Sequence, residues 1–141
     1  MRVRRVLVVS AAVLGVIIGA AVWTGVQAGR WQAIHHDGES ITIPPNWHPL
    51  TGGKTYGEST RSPWGLRFLR EFTARDIPPA AQALSAVGPH VHEWKIYHGH
   101  HVTYYGVWSE AHHTRSIKIC VPRSQQNLAL AILGSWQPLS H

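Results

Sequence analysis

The chain has 141 residues, of which 13 are basic and 7 acidic, and its formal net charge is +6. This length predicts one compact domain rather than two, and the single cysteine, Cys120, excludes an internal disulfide. Three of the basic residues are Arg2, Arg4 and Arg5; without them the net charge is +3, carried by scattered side chains. That pattern argues against a nucleic-acid-binding protein.

Residues 1–28 have the pattern of a membrane-targeting segment. After the basic start, an uncharged apolar run of 17 residues begins at Val6, which directs a chain to a membrane. A signal peptide would be cleaved after Ala28 and would release the remainder as a secreted protein. A retained anchor would use residues 6–26 as a single spanning segment, and the length of that run favours this alternative. Either way, residues 29–141 are predicted to form a domain outside the cytoplasm.

The first half of this domain begins with a predicted strand pair. A strand from Trp31 to His35 and a strand from Ile41 to Ile43 flank the turn dipeptide Asp37-Gly38. An alternating strand from Trp64 to Phe72 follows, with Leu66, Phe68 and Phe72 expected on one face.

Two helices are predicted on either side of a meander of three strands. The first helix would be capped by Asp76, run to Val87 and stop at Gly88 and Pro89. The second would be capped by Ser124 and would end at Gly134.

The faces of the three strands, 91–97, 101–109 and 114–121, follow from alternation. A loop over 110–113 places the apolar residues of the second and third strands on one side. The first hairpin then needs an odd loop of three residues, 98–100, because a two-residue turn would place Glu93 and Lys95 on the apolar side. The expected apolar face contains Trp94, Ile96, Val102, Tyr104, Trp108, Ile117 and Ile119.

Four short motifs resemble the PsbP/Mog1-like superfamily over about residues 30–138. They are the segments ITIPPNW, YHGHHVTYYGVW, SIKICVP and ILGSW, which occur in this order. The resemblance implies an α+β fold, an antiparallel sheet with flanking helices, preceded here by the N-terminal apolar helix. Proteins of this superfamily act in binding and assembly, and many are exported bacterial proteins, so the resemblance implies a protein partner and carries over no catalytic residue.

Histidine is the residue type that this resemblance does not explain. His98, His100 and His101 fall in one predicted hairpin loop, and imidazole is a good ligand for Zn, Cu and Ni. A second set lies at the other end of the meander, where the first strand starts near the loop between the other two. A solvated loop is the alternative for both sets, since a closed zinc site takes about four ligands. The second set consists of His90, His92, His112 and His113.

The sequence contains no motif typical of an enzyme. It has no G-x-S-x-G and no H-E-x-x-H pattern. Cys120 alternates away from Ile119 and Val121, so we expect a structural cysteine buried under a helix on the other side of the sheet. The sequence therefore predicts a membrane-anchored binding or assembly module outside the cytoplasm, without catalytic activity and without a cofactor. The alternative is a histidine-rich metal-handling protein.

Overall fold

The structure, a computed structural model, describes residues 30–50, 52–59, 61–84, 89–110 and 112–138. The predicted membrane segment, residues 6–26, and the cleavage position after Ala28 lie outside these ranges. None of the helices formed by the described residues is both long and apolar enough to cross a bilayer.

The described residues form nine strands, one α-helix and two short 3-10 turns. The 3-10 turns are Ala74–Asp76 and Arg123–Gln125, and the helix, α1, is Gln126–Gly134. The strands are β1 Gln32–His36, β2 Glu39–Ile43, β3 His48–Pro49, β4 Thr55–Gly57, β5 Gly65–Leu69, β6 Gln82–Ala83, β7 Val91–His98, β8 His101–Glu110 and β9 His113–Pro122.

Two antiparallel sheets account for this strand content. β1 and β2 form a hairpin of their own, and the other strands form a seven-stranded sheet in the order β3-β4-β5-β9-β8-β7-β6. The antiparallel sheet was expected, but the α+β class with flanking helices is wrong. In the part of the chain that the structure describes, α1 is the only α-helix, and the fold is mostly β.

The β1–β2 hairpin forms where its turn dipeptide predicted. Asp37 has φ 51° and Gly38 has φ 86°, the two left-handed conformations of a type I′ turn. Strand β2 then alternates, with Glu39, Ile41 and Ile43 buried. The hairpin is tied to the C-terminal segment by backbone hydrogen bonds in both directions between Ser40 and Gln137, at 3.0 and 2.8 Å.

Strand β5 is shorter than predicted, and this moves one aromatic residue to the other side of the sheet. Leu66 and Phe68 are buried on one face as expected, but the strand ends at Leu69. Glu71 takes φ 54° and turns the chain. Phe72 therefore stacks on Tyr105 of the opposite face, with ring centroids 5.4 Å apart.

The predicted helix from Asp76 to Val87 is wrong. Thr73 caps a 3-10 turn in a capping box with Asp76, and the turn ends after one cycle because Ile77 is extended, with ψ 129°. Proline pushes the residue before it out of the helical region, and both Ile77 and Pro78 precede a proline. Strand β6 then pairs with Trp94 and Lys95 of β7; residues 85–88 lie outside the described ranges.

The predicted three-residue loop between β7 and β8 is also wrong, by one residue. His98 pairs with His101 and Tyr97 with Val102, which leaves the two-residue turn Gly99-His100. Gly99 has φ 59°, and glycine at the first central position is typical of a type II′ turn.

The two-residue turn sets the register between β7 and β8. This register is tolerated because both faces of the sheet are covered, so the apolar residues of β7 do not all have to lie on one face. Glu93 and Lys95 lie on the side of Tyr104, while Trp94 and Ile96 point the other way. Ile96 is buried on that face, as are Tyr105 and Val107 of β8. The expectation failed because it assumed a single buried face.

The β8–β9 register is as predicted. Gly106 pairs with Ile117 and Ser109 with Thr114, and Glu110 also pairs with His113 at the end of the ladder. The face that carries Tyr104, Ile117 and Ile119 packs against α1. The core on this side consists of Ile41, Ile43, Trp47, Leu66, Phe68, Val102, Tyr104, Trp108, Ile117, Ile119, Val121, Ala129, Ile132, Leu133 and Trp136.

Helix α1 ends at Gly134 as predicted, but Ser124 is not its cap. Ser124 lies in the preceding 3-10 turn, and the helix begins at Gln126. After the helix, Trp136 packs over Gly106: a Cβ at Gly106 would lie 2.7 Å from the indole ring. The absence of a side chain at this position therefore lets Trp136 pack closely against the sheet, and its indole nitrogen donates a hydrogen bond to Glu39 of the β1–β2 hairpin.

Candidate functional site

The first predicted histidine set is only partly brought together. His98 and His101 are cross-strand partners, and their rings stack with centroids 5.1 Å apart. The ring centroid of His101 also lies 5.5 Å from that of Trp64. His100 is exposed in the turn. Nowhere in the described ranges do three His, Cys, Asp or Glu side chains form a group suited to a metal ion.

The second histidine set does not gather at one point of the sheet. His92 pairs with Val107 and His113 pairs with Glu110. Val107 and Glu110 are three residues apart on β8, so the side chains of the two histidines point to opposite faces. His90 and His112 are exposed at the ends of their strands. The predicted convergence of His90, His92, His112 and His113 is therefore wrong.

Replacing His98, His100 and His101 together by Gln should change stability little. His98 and His100 are exposed and His101 is half-buried at the hairpin end, where each substitution typically changes the free energy of unfolding by no more than about 0.5 kcal/mol. Chemical denaturation of the full chain and of the triple variant measures the change. A loss of several kcal/mol would contradict this account of the hairpin end.

Cys120 faces away from Ile119, as alternation predicted, but no helix buries it. It pairs with Thr103 and Gly65 on the face opposite α1 and is half-buried. The neighbouring side chains of Trp64 and Lys118 line a shallow pocket with it. The predicted helical cover is wrong because α1, the only α-helix among the described residues, packs on the other face of the sheet.

A polar cleft lies where the β1–β2 turn meets the ends of β5 and β9. It has a volume of about 420 Å³ and is called the Glu39 cleft below. The residues that line it are His36, Asp37, Glu39, Lys54, Leu69, Arg70, Glu71, Thr114 and Arg115.

Glu39 forms the floor of this cleft and is almost fully buried. Only 4% of its surface is exposed. One carboxyl oxygen, Oε1, accepts a hydrogen bond of 3.0 Å from the indole nitrogen of Trp136. The other oxygen, Oε2, lies 3.8 Å from a guanidinium nitrogen of Arg115, which is too far for a hydrogen bond.

Burial dominates the electrostatics of Glu39. Loss of solvent raises the pKa of its carboxyl from 4.5 to about 7; the Trp136 hydrogen bond and the Arg115 charge act in the opposite direction, while nearby Asp37 adds to the rise. Near neutral pH, both the charged and the neutral form of this carboxyl are therefore populated. Shifted pKa values of this kind are common at functional sites.

Arg115 lies at ion-pair distance from two carboxylates of the cleft but forms a hydrogen bond with neither of them. It lies 3.9 Å from Asp37 Oδ2 and 3.8 Å from Glu39 Oε2, and 28% of its side chain is exposed. Across the described ranges, its guanidinium has no hydrogen-bond acceptor within the protein. A half-buried guanidinium carries five donors that normally find acceptors, so these donors are available to a bound molecule.

The backbone at the rim of the cleft includes one uncommon conformation. Glu71 has φ 54° without being glycine, asparagine or aspartate. Such left-handed residues cost roughly 1–3 kcal/mol and concentrate at functional sites. Glu71 and its neighbour Arg70 both line the cleft.

Sequence reasoning missed the Glu39 cleft, although alternation contains a signal for it. Glu39 has the parity of Ile41 and Ile43, and Arg115 has the parity of Ile117 and Ile119. Charged residues at inward positions of two strands are rarely buried without a partner. That the two strands bring these charges together depends on tertiary packing, which alternation does not predict.

Comparison with known protein families finds no match for this sequence, and comparison with curated proteins finds no relative. Membership of the PsbP/Mog1-like superfamily therefore stays a prediction, and the geometry of the Glu39 cleft carries the functional argument.

Proposed function

We propose that this protein is a membrane-anchored binding module outside the cytoplasm, which takes its ligand in the Glu39 cleft. The observation that supports this most is Arg115: a half-buried guanidinium without hydrogen bonds to the described residues, above a buried carboxyl. A guanidinium presents its donors in a fixed fork, and hydrogen bonds from a charged donor are among the stronger ones. A bound molecule that accepts hydrogen bonds from Arg115 can therefore be held in the cleft.

The position of Glu39 supports binding rather than catalysis. A general acid or base must come within about 3 Å of the proton that it transfers. Glu39 is 4% exposed, and one of its two oxygens is occupied by Trp136. Its carboxyl therefore acts on a ligand through its charge, from beneath Arg115, and not by direct contact.

The proposed location rests on the N-terminal sequence. Residues 6–26 are uncharged and apolar and follow three arginines, so they hold the binding domain on the outer side of the membrane. The resemblance to the PsbP/Mog1-like superfamily supports a role in assembly, with a protein partner on the same membrane.

The tethered location predicts that the full chain, with a C-terminal tag, sediments with membranes and stays there after an alkaline wash. Protease added to cells with a permeable outer layer should digest the domain, since the domain lies outside the cytoplasm. Tagged protein in the soluble cytosolic fraction would contradict the whole proposal for location. Soluble external protein that starts at Gly29 would contradict only the anchor and would show cleavage after Ala28.

Binding itself is tested by mass spectrometry of the intact protein. The full chain, purified from its own membranes in a mild detergent, should carry a non-covalent adduct. Arg115→Gln should lose the adduct, because the variant lacks the guanidinium. Arg75→Gln, which removes an exposed arginine outside the cleft, should keep it. The same adduct on both variants would place binding elsewhere, and no adduct on any form would contradict the proposed function.

A second candidate function, metal handling, is favoured by the stacked pair His98 and His101. Two imidazoles across a hairpin end offer two ligands to Zn, Cu or Ni, and further ligands would come from a partner or from water. Added metal should then raise the melting temperature of the wild type and not that of His98→Gln/His101→Gln. No shift in the wild type would contradict this function.

A further inference from the structure

We infer that the Glu39 cleft recognises an oxyanion, a carboxylate or a phosphate-like group, and that it takes up a proton when the anion binds. This inference rests on the proposed binding function and adds the chemical class of the ligand. It is carried by the placement of three cations around one cleft, whose acidic groups are two exposed carboxylates and the buried carboxyl of Glu39.

Arg115 supplies the recognition. Its guanidinium is planar and presents donors in a fork that matches two oxygens of a carboxylate or a phosphate. The two protein carboxylates near it, on Asp37 and Glu39, stand at 3.9 and 3.8 Å, beyond hydrogen-bond distance. An incoming oxyanion can approach to hydrogen-bond distance, which neither of these side chains does.

Lys54 and Arg70 extend the positive charge across the cleft. Both line it, and within the described ranges neither lies at ion-pair distance from an acidic side chain. Of the acidic groups in the cleft, the Asp37 side chain is 83% exposed and Glu71 lies exposed at the rim. Water therefore screens both of them strongly. His36 completes the ionisable lining and stacks on Phe68, with centroids 4.4 Å apart.

Glu39 makes binding depend on pH. Its carboxyl faces Arg115 and Trp136, with Asp37 nearby, and its pKa is raised to about 7 by burial. An anion held by Arg115 lies close to this carboxyl and favours its neutral form, because like charges in a poorly solvated site repel each other. Anion binding is then linked to proton uptake, so the affinity falls as the pH rises through the pKa of Glu39.

Calorimetric titration of the full chain in a non-ionic detergent tests this inference, with sulfate and acetate as probes. Sulfate represents a phosphate-like group and acetate represents a carboxylate. The probe that binds more tightly identifies which of these two groups the ligand carries. We expect saturable binding at one site, several-fold tighter one unit below the pKa of Glu39 than one unit above it. Arg115→Gln should weaken binding by about tenfold or more, since it removes a charge-assisted contact.

Three further variants complete the test. Glu39→Gln should bind with the affinity that the wild type has at the lower pH, and this affinity should no longer vary with pH. Arg70→Gln alters an exposed side chain, so weaker binding by this variant supports the inference even where Arg115→Gln unfolds. Arg75→Gln should bind as the wild type does.

Binding of neither probe, or tighter binding at the higher pH, would overturn the oxyanion assignment. These outcomes are distinct from failure of the proposed function. A native adduct that Arg115→Gln loses, together with no affinity for sulfate or acetate, would leave the binding module standing and refute only the class of ligand.

Discussion

Replacing Glu39 by Gln is expected to remove a pH dependence of about 3 kcal/mol from the stability of the protein. The folded-state pKa of Glu39 is about 7 against an ordinary value of 4.5, and each unit of difference corresponds to about 1.4 kcal/mol. Between these two values the folded state binds more protons than the unfolded state. The stability that Glu39 contributes is therefore complete below pH 4.5 and is lost as the pH rises to about 7.

Denaturant unfolding of both proteins across this interval measures the effect. The difference in unfolding free energy between Glu39→Gln and the wild type should shift in favour of the variant by about 3 kcal/mol as the pH rises. Taking the difference cancels Glu93, whose pKa is also raised by burial. Glu110→Gln removes an exposed carboxylate and serves as the matched control. A difference that stays flat with pH would contradict the burial of Glu39.

Replacing Trp136 by Ala is expected to cost about 3–5 kcal/mol of stability, as large truncations in a core do. Trp136 is 7% exposed, covers the sheet where Gly106 has no side chain, and donates the hydrogen bond to Glu39. The truncation opens a cavity and also leaves the buried carboxyl without its donor, so two costs combine. Thermal or chemical unfolding of the full chain measures the loss.

Two other variants separate these two costs. Trp136→Phe keeps an aromatic ring but loses the indole nitrogen and part of the ring system, so it should cost less than Trp136→Ala and at least about 1–3 kcal/mol, the range for an unsatisfied buried group. Trp31→Ala removes a tryptophan that is 42% exposed and should cost much less than Trp136→Ala. Equal losses for Trp136→Ala and Trp31→Ala would contradict the role of Trp136 in the core.

Local patterns predicted the strands well. The Asp37-Gly38 turn, the alternation in β2 and the pairing of Gly106 with Ile117 all follow from neighbouring residues. Side-chain alternation has a period of two and turn dipeptides have fixed preferences, so a sequence specifies these features without knowledge of the rest of the fold.

The errors arose where distant segments decide the structure. The register of β7 depends on whether one or both faces of the sheet are covered, and the second cover comes from the segment that includes Phe72. The prediction of a helix from Asp76 gave too little weight to consecutive prolines, which strongly restrict the residues before them. The α+β class, which the resemblance implied, needed that helix as one of its flanking helices and is wrong, because the described residues are mostly β.

The Glu39 cleft was beyond prediction for a related reason. Glu39, Arg115 and Trp136 come from β2, β9 and the segment after α1. The local sequence pattern can predict that each of them faces inward. Their contact, however, depends on how the β1–β2 hairpin packs beside Trp136. The histidines, by contrast, are conspicuous in the sequence, and the structure brings only His98 and His101 together.

The pKa of Glu39, measured by magnetic resonance, tests the account of the cleft most directly. The full chain contains five glutamates, so labelling their carboxyl carbons gives five resonances, and Glu39→Gln identifies the one that belongs to Glu39. We expect this resonance to titrate at about 7 and to titrate higher still in Arg115→Gln, because that variant lacks the cation which favours the charged form. Titration at the ordinary value of 4.5, unchanged in Arg115→Gln, would contradict a buried carboxyl beneath Arg115 and with it the proposed binding site.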